Sequence, residues 1–240
     1  MPLSTYIVRQ EWLTESDRAA MLALHGRHYG NVRPERFMAD LAAKEWVILL
    51  RGPSGALVGF STQALIRLCV QGREHRFLFS GDTVVDHAHR HTPALAGCFG
   101  HLMLRLMCDQ GEDDLHWFLI TKGFRTYRFL PVFFKRFFPA FDADMPDECA
   151  SLMHAVATHR FGSEYDPDTG IVRPGAGGDR LLPELARVPP GRLRDPHVAY
   201  FLRRNPGFAA GDEMACLTAI RRDNLNPRAW RVIHATTPTW

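Results

Sequence analysis

The chain has 240 residues, of which 46% are apolar and 23% charged, a composition typical of a globular domain with one sizeable core. Its net charge of +3 is too small to predict nucleic-acid binding. No run approaches the roughly 18 apolar residues of a membrane-spanning helix, and residues 1–10 lack the pattern of a secretion signal. We therefore expect a cytoplasmic protein without a transmembrane segment.

Five cysteines are scattered along the chain without CxxC spacing: Cys69, Cys98, Cys108, Cys149 and Cys216. Their odd number and wide spacing favour buried free thiols in a reducing compartment over a disulfide framework or a zinc site.

The first part of the chain predicts a strand, two helices and a hairpin. Tyr6–Arg9 has strand composition, and Thr14 has the chemistry of a helix N-cap. Pro34 precedes an apolar helical face and predicts the start of a second helix. Trp46–Leu50 and Leu57–Leu65 are β-rich runs joined by a Gly-Pro-Ser-Gly turn, which predicts a hairpin.

The next segment is the most informative. It predicts a strand over His75–Val85, a loop over Asp86–Thr92, a helix over Pro93–Gln110 and a strand over Leu115–Ile120. Several α/β folds hold a phosphorylated carrier in this way, because the loop and the helix N-terminus aim N–H groups at the anion. Gly81, inside the first strand, predicts a bulge or a close backbone approach.

An aromatic and basic stretch follows. Residues 115–141 contain no acidic residue, which predicts an electropositive surface. We expect a helix from Pro131 that carries Phe133, Phe134, Phe137 and Phe138. Core packing would use most of these rings, and a surplus could form an acyl-chain groove or a partner interface.

The last hundred residues have less regular secondary-structure signals. Ser151–Phe161 and His197–Arg204 predict helices, and Tyr165–Pro190 predicts a long loop because Gly, Pro and Asp are frequent there. Glu213–Ile220 and Trp230–His234 are expected as two closing strands. Glu213 would either face a substrate or stand as an exposed strand-end charge.

This order of elements, over roughly residues 6–141, resembles the GNAT (GCN5-related N-acyltransferase) superfamily. The segments that match the family's second to fifth strands are Trp46–Leu50, Leu57–Phe60, Thr83–Val85, and Leu115–Ile120 with Gly123-Phe124. The resemblance implies an α/β (α+β) fold with a central mixed sheet flanked by helices. Residues 1–145 would form the acyltransferase core, and residues 146–240 an elaborated C-terminal extension.

The resemblance also implies where a thioester donor binds. The strands Phe77–Val85 and Leu115–Ile120 are expected to part midway and to expose peptide groups to the pantetheine arm. The residues expected to bind acyl-CoA or an acyl carrier protein are Val84, Val85, Arg90, His91, Thr92, Lys122 and Arg125.

The expected pyrophosphate loop departs from the family pattern. Arg90 is present, but Pro93 and Leu95 stand where the Arg/Gln-x-x-Gly-x-Gly/Ala motif has glycines. Glycine lets the backbone approach phosphate oxygens closely, and proline also lacks an N–H donor. Coenzyme A would then be held differently, and an acyl carrier protein, whose acidic surface would suit the basic stretch, remains an alternative donor.

Three residues are candidates for proton transfer, each with a structural alternative. Asp82 is expected as the general base, or else as part of a hydrogen-bonded bulge. His116 opens a strand and either faces the cleft or is half-buried. Tyr127 matches tyrosines that protonate the leaving thiolate in the resembling family, or it packs in the core.

His87, His89 and His91 alternate in the loop and suggest a metal site or, as a weaker hypothesis, a metal hydrolase. Arg90 between them is unfavourable beside a cation, so no metal is expected.

The function implied is acyl transfer from a thioester carrier to an amine by direct attack in a ternary complex. The aromatic surplus favours an acyl group longer than acetyl. Small amines, amino acids, peptides and protein lysines are equal alternatives as acceptors. The competing hypothesis is a non-catalytic GNAT-like protein that binds a partner through the cleft or the Phe-rich helix.

Overall fold

An eight-stranded mixed sheet organises the computed structural model, which describes residues 3–240 (Ala176 by its backbone alone). The strands are β1 Ser4–Arg9, β2 Tyr29–Gly30, β3 Trp46–Arg51, β4 Leu57–Val70, β5 Arg73–Val85, β6 Leu115–Thr121, β7 Tyr165–Asp166, β8 Ile171–Val172, β9 Arg180–Leu181 and β10 Glu213–Ala219. The helices are α1 Glu15–Gly26, α2 Pro34–Ala42, α3 Ala94–Gln110, α4 Phe124–Tyr127, α5 Phe129–Phe133, α6 Asp147–Phe161, α7 Pro183–Ala186, α8 Pro196–Arg204 and α9 Pro227–His234.

The strand order is β1-β3-β4-β5-β6-β10-β8-β7, and β2 pairs with β9 in a separate two-stranded sheet. β5 and β6 run parallel, with α3 as their crossover, while the other neighbours in the large sheet are antiparallel. One face packs against α3 and α9, and the other packs against α1, α2 and α6. The predicted mixed sheet flanked by helices is therefore confirmed.

Local signals explain the first elements. The Thr14 hydroxyl accepts the N–H of Asp17 at 3.1 Å, and the Asp17 carboxylate accepts the N–H of Thr14 at 3.0 Å. This capping box starts α1 as the sequence predicts. Pro34 is the first residue of α2, where its missing N–H costs nothing.

A bulge lies at the predicted glycine. Ser61 of β4 faces Thr83 of β5, whereas Gln63 faces Ser80, so Thr62 alone stands opposite Gly81 and Asp82. A Cβ at Gly81 would lie 2.6 Å from Lys44 Cε and 2.7 Å from Thr62 Oγ1, so a larger residue would displace these side chains. The extra residue twists β5 away from its earlier course.

β5 and β6 part immediately after this bulge begins. Arg76–Ser80 pairs with Leu115–Leu119, and within the described range the remainder of β5, residues 81–85, pairs only with β4. The expected parting of these two strands is confirmed.

A chain of buried hydrogen bonds holds the parting point. Trp117 Nε1 of β6 donates to Ser80 Oγ at 2.9 Å, and Ser80 Oγ donates to Gln63 Oε1 at 2.7 Å. Gln63 Nε2 donates to Ser61 Oγ at 2.7 Å, and Ser61 Oγ lies 2.7 Å from Thr83 Oγ1. The chain joins three strands across the bulge, and a buried network of this kind specifies one register.

The predicted Phe-rich helix from Pro131 is wrong. The chain forms the short helices α4 and α5 and then runs extended, with Phe134 bridging to Leu225 and Phe138 bridging to Leu217 of β10. The N–H of Phe138 donates to Leu217 O at 2.8 Å. Bridges to Leu225 and to Leu217 of β10 replace the helical arc after Phe133.

One of the two expected closing strands is confirmed and one is wrong. β10 pairs with β6 along its length, but Trp230–His234 lies within α9. The Asn226 side chain accepts the N–H groups of Arg228 and Ala229, both at 3.0 Å, and caps this helix ahead of Pro227. The division of the chain at residue 145 stays a prediction.

Two other expectations concern exposure and membranes. Cys98 and Cys216 are buried as expected, but Cys69 and Cys108 are exposed. None of the helices within residues 3–240 combines the length and apolarity needed to cross a bilayer.

Gly100→Ala is expected to lower the free energy of unfolding by about 1–3 kcal/mol, because a Cβ on α3 would lie 2.3 Å from Ile233 Cγ1 of α9. Gly26→Ala is the matched control, since nothing lies within 4 Å of a Cβ there, and we expect it to be neutral or slightly stabilising. Urea unfolding midpoints measure both. Equal effects of the two substitutions would contradict close packing of α3 on α9.

Candidate functional site

A cleft of about 630 Å³ opens where β5 and β6 part. It lies at the carboxyl ends of these parallel strands, where α/β proteins commonly bind ligands. The elements that line it include the end of β5, the loop to α3, the end of β6, α2, α4, the end of α6, the first residue of β10, and the segments around β2 and β9.

The end of β5 presents peptide groups to this cleft that no neighbouring strand of the described chain pairs with. The N–H of Asp86 donates to Val58 O of β4 at 2.8 Å. Because backbone N–H and C=O groups alternate in direction along a strand, those of Val84 also face β4, whereas those of Thr83 and Val85 face the cleft. His28 Nε2 lies 3.1 Å from Val85 O, as this orientation requires. Of the two valines expected to bind a donor arm through their backbone, Val85 is oriented to do so and Val84 is turned to the sheet.

Asp82 lies at the bulge and lines the cleft. Its side chain is 30% exposed. Burial raises the pKa of Asp82 and Asp40 adds to the rise, while His25, Lys44 and Lys122 oppose it. A carboxylate whose pKa is raised accepts a proton more readily near neutral pH.

A buried histidine stands behind Asp82. The side chain of His25 is 2% exposed, and its Nε2 lies 2.8 Å from Asp179 Oδ2. Its Nδ1 faces Asp82 Oδ1 at 3.9 Å and has no hydrogen-bond partner within residues 3–240. The ring stacks on Tyr29 with centroids 4.4 Å apart. Asp179, His25 and Asp82 thus form a carboxylate–imidazole–carboxylate array.

Asp179 reaches His25 because β9 pairs with β2, with Leu181 opposite Tyr29. The N–H of Leu182 also donates to His28 O at 3.0 Å. The segment that was expected to be a long loop therefore closes one side of the cleft and contributes a carboxylate to it.

A second acid, Glu213, enters the cleft from β10. Lys122 Nζ lies 3.2 Å from Glu213 Oε1 and donates to Asp179 O at 3.1 Å. Burial raises the pKa of Glu213, and Lys122 opposes the rise. The Glu213 side chain is 13% exposed, so it is not the exposed strand-end charge considered from the sequence. Lys122 lines the cleft but is already paired with Glu213.

Tyr29 lies among these acids. Burial raises its pKa strongly, and Asp82, Glu213 and Asp179 raise it further. Tyr29 therefore keeps its proton at neutral pH and can donate a hydrogen bond inside the cleft.

The mouth of the cleft next to α3 is cationic. Arg90 and Arg125 both line it, and in the described part of the chain no carboxylate oxygen lies within 4.0 Å of either guanidinium. Arg125 Nη1 donates to Leu185 O at 2.8 Å. Burial, Arg90 and Arg192 lower the pKa of Arg125.

The loop into α3 has no glycine cradle. Pro93 occupies the N-cap position, and Thr92 Oγ1 accepts the N–H of Ala94 at 3.3 Å. Thr92 lines the cleft together with the buried Leu95. His91 is exposed and is not part of the cleft wall.

His116 and Tyr127, two of the three expected catalytic residues, lie outside the cleft. His116 pairs in register with Phe77 at the start of β6, the end remote from the cleft. Burial and the neighbouring His75 lower its pKa to about 4. Tyr127 is fully buried and donates to Pro139 O at 2.9 Å. Their placement corrects both assignments in favour of the structural alternatives.

The histidine loop forms a single 3-10 turn over His87–His89. Across residues 3–240, no group of three or more His, Cys, Asp or Glu side chains is arranged to hold a metal ion.

Neither a protein-family model nor a curated protein matches the chain. Similar solved structures include a protein of Enterococcus faecalis described as a probable N-acyltransferase, with 11% identity, 57% of this chain and 33% of that chain covered, and a TM-score of 0.43. A GNAT family N-acetyltransferase of Escherichia coli in complex with CoA has 14% identity and a TM-score of 0.40, and the match covers 54% of this chain and 69% of that chain. An acetyltransferase of Trypanosoma brucei has 18% identity, coverage of 60% and 98%, and a TM-score of 0.38.

The match thus spans about a third of the Enterococcus faecalis chain. These structures are what the chain is similar to; at identities of 11–18% and TM-scores below 0.5, they establish neither its family nor its activity. The mixed sheet and its strand order are observed directly in this chain.

Asp82→Asn is expected to make the protein more stable at neutral pH. The raised pKa of Asp82 means that the folded state binds this proton more tightly than the unfolded chain, so ionisation costs stability as pH rises through the folded pKa. The gain should therefore grow with pH and vanish below about pH 4, where the carboxyl is protonated in both states. Urea unfolding across this range measures it, with Asp168→Asn at an exposed position as control. A pH-independent gain would contradict the raised pKa.

Proposed function

We propose that the protein is an N-acyltransferase that moves an acyl group from a phosphopantetheine thioester to an amine. The observation that carries the proposal is the unpaired edge of β5, which lies next to the half-buried carboxyl of Asp82. The first feature suits an amide-bearing donor arm, and the second suits removal of a proton from the attacking amine.

The donor would lie along β5. The amides of a pantetheine arm can pair with the peptide groups of Thr83 and Val85, as an added strand pairs with a sheet edge. Its phosphates would then extend toward Arg90 and Arg125, whose guanidinium groups have no acidic partner within 4.0 Å in residues 3–240. Acyl-CoA and acyl carrier protein both present this arm, so both are candidate donors.

The acidic side of the cleft would receive the amine. Asp82, Asp179 and Glu213 all line the cavity, and three carboxyl groups attract a cationic amine. The amine must lose a proton to attack, and Asp82 is positioned to take it directly or through a water. His25, held by Asp179 at 2.8 Å, lies with its Nδ1 3.9 Å from Asp82 Oδ1 and would stabilise the Asp82 carboxylate electrostatically.

The transfer then proceeds in one active site without an acyl-enzyme. The amine nitrogen forms a bond to the carbonyl carbon, the carbon–sulfur bond breaks, and the electron pair leaves with the sulfur. Two protons leave the nitrogen in this sequence. The first passes from the ammonium group through Asp82 to solvent before the attack, and the second leaves as the amide forms and neutralises the thiolate, which is released as a thiol. An acyl group longer than acetyl belongs to the same proposal.

Asp82→Asn is expected to lower kcat by about 10²–10⁴-fold, the usual contribution of a general base, with little change in KM for the donor. Thiol release from acyl-CoA and acyl carrier protein, assayed against a panel of amines, measures it. Asp168→Asn, in an exposed loop, should retain full activity. Undiminished turnover in Asp82→Asn would exclude Asp82 as the base.

Arg90→Ala and Arg125→Ala are each expected to weaken donor binding by about 10- to 100-fold, because each removes a charge-assisted phosphate contact. Calorimetry with coenzyme A and with phosphopantetheinylated carrier protein measures the loss. Arg105→Ala is the control, since that guanidinium is already paired with Asp109 at 3.3 Å. Tight donor binding without thiol release for any amine would favour the non-catalytic alternative.

A further inference from the structure

A second, smaller cavity of about 50 Å³ lies on the α3 side of the sheet. It adjoins the main cleft at the point where β5 and β6 part. Gly81, Thr83, Leu95, Ile120 and Phe129 line both cavities. A group attached to a carbonyl at the parting point would therefore lie next to the second cavity.

Apolar side chains form most of the wall of this second cavity. They come from α3, β6, α5 and α9 and include Phe99, Met103, Leu119, Phe133 and Ile233. Most of these residues belong to the largest hydrophobic cluster or pack against it. Burying an alkyl chain here would remove apolar surface from water on both sides of the contact.

The buried polar side chains of this wall are paired with one another, and Thr126, which lines both cavities, is the remaining polar side chain. Trp117 Nε1 donates to Ser80 Oγ, and Ser80 Oγ donates to Gln63 Oε1. Ser61 Oγ lies 2.7 Å from Thr83 Oγ1 and also accepts from Gln63 Nε2. A polar ligand would lose its hydrogen bonds to water and find no free partner among these groups. The wall therefore selects an apolar occupant.

The volume limits the length of that occupant. A cavity of this kind needs about 10–15 Å³ for each group the size of a water molecule or methylene. The 50 Å³ present accepts about four such groups. Phe133, which is only half-buried, is the wall residue whose displacement would lengthen the cavity.

We propose that this second cavity is an acyl-chain subsite, which takes the alkyl tail of a thioester donor of about four to six carbons. The inference rests on the proposed function and adds to it the class of acyl group. It places that chain between α3, α5 and α9, on the face of the sheet that packs against α3 and α9.

The test uses 2-oxoalkyl analogues, in which a methylene between sulfur and carbonyl prevents acyl transfer, attached to coenzyme A and to carrier protein. Chains of two, four, six, eight and ten carbons are compared by calorimetry with the unmodified thiol carriers. Affinity should rise by about threefold to fourfold for each methylene up to about six carbons, and then level off or fall.

Two variants address the wall directly. Ala96→Leu adds bulk to a residue that lines the second cavity. It should abolish the increase in affinity with acyl-chain length while leaving the affinity for the unmodified thiol carriers unchanged. Ala94→Leu is the matched control, two residues earlier on α3 and in the wall of neither cavity, and should preserve the gain. Phe133→Ala should move the preferred length to eight carbons or more. Thermal melts check that all three variants are folded.

The outcomes separate the two proposals. If the thiol carriers bind but affinity is the same for every chain length, the acyl-chain subsite is wrong and the proposed function stands. If Ala96→Leu and Ala94→Leu reduce the gain equally, the chain does not lie in this cavity. If no carrier or analogue binds, the proposed function fails and the subsite fails with it.

Discussion

The parting of β5 and β6 is the constraint on which the rest of the site depends. Two parallel strands normally pair along their whole length, because an unpaired buried peptide group costs free energy. Here the bulge at Gly81 and Asp82 turns β5 aside, and the hydrogen-bonded side chains that join Trp117 to Thr83 through Ser80, Gln63 and Ser61 hold that geometry. Removal of one member would leave a buried donor or acceptor without a partner, so the chain specifies one register. The same bulge places Asp82 beside the open edge, so the proposed donor surface adjoins this ionisable group.

The cleft contains buried acidic side chains, whose ionised forms lower the stability of the fold. Nearby basic side chains reduce this loss of stability. Burial raises the pKa of both Asp82 and Glu213, as is common where chemistry requires proton transfer. Lys122 and His25 offset part of this cost by lying near them. Asp179 and Glu213 both come from the last hundred residues, where β9 and β10 join the elements formed by the earlier part of the chain. The C-terminal region therefore contributes to the site itself, in addition to completing the sheet.

The sequence predicts those elements whose signals are local. The cap at Thr14, the hairpin between Trp46 and Leu65, the α3 crossover and the bulge at Gly81 all follow from nearby residues, and the structure has them. The Phe-rich stretch has helical spacing, but the pairing partner of Phe138, Leu217, lies about 80 residues later. Trp230–His234 is a short apolar run that predicts a strand, whereas the cap at Asn226 and Pro227 starts a helix there. No local pattern could have brought Asp179 to His25, since 154 residues separate them and the β2–β9 pairing places them together.

The open edge of β5 can be tested at single peptide groups by amide hydrogen exchange with and without a bound non-transferable donor analogue. The N–H of Val84 is turned toward β4 and serves as an internal reference, whereas those of Thr83 and Val85 face the cleft. We expect the donor to slow exchange at Thr83 and Val85 by at least tenfold and to leave Val84 nearly unchanged. Unchanged exchange at Thr83 and Val85 while the donor is bound would show that the carrier lies elsewhere, and the proposed transferase site would then be wrong.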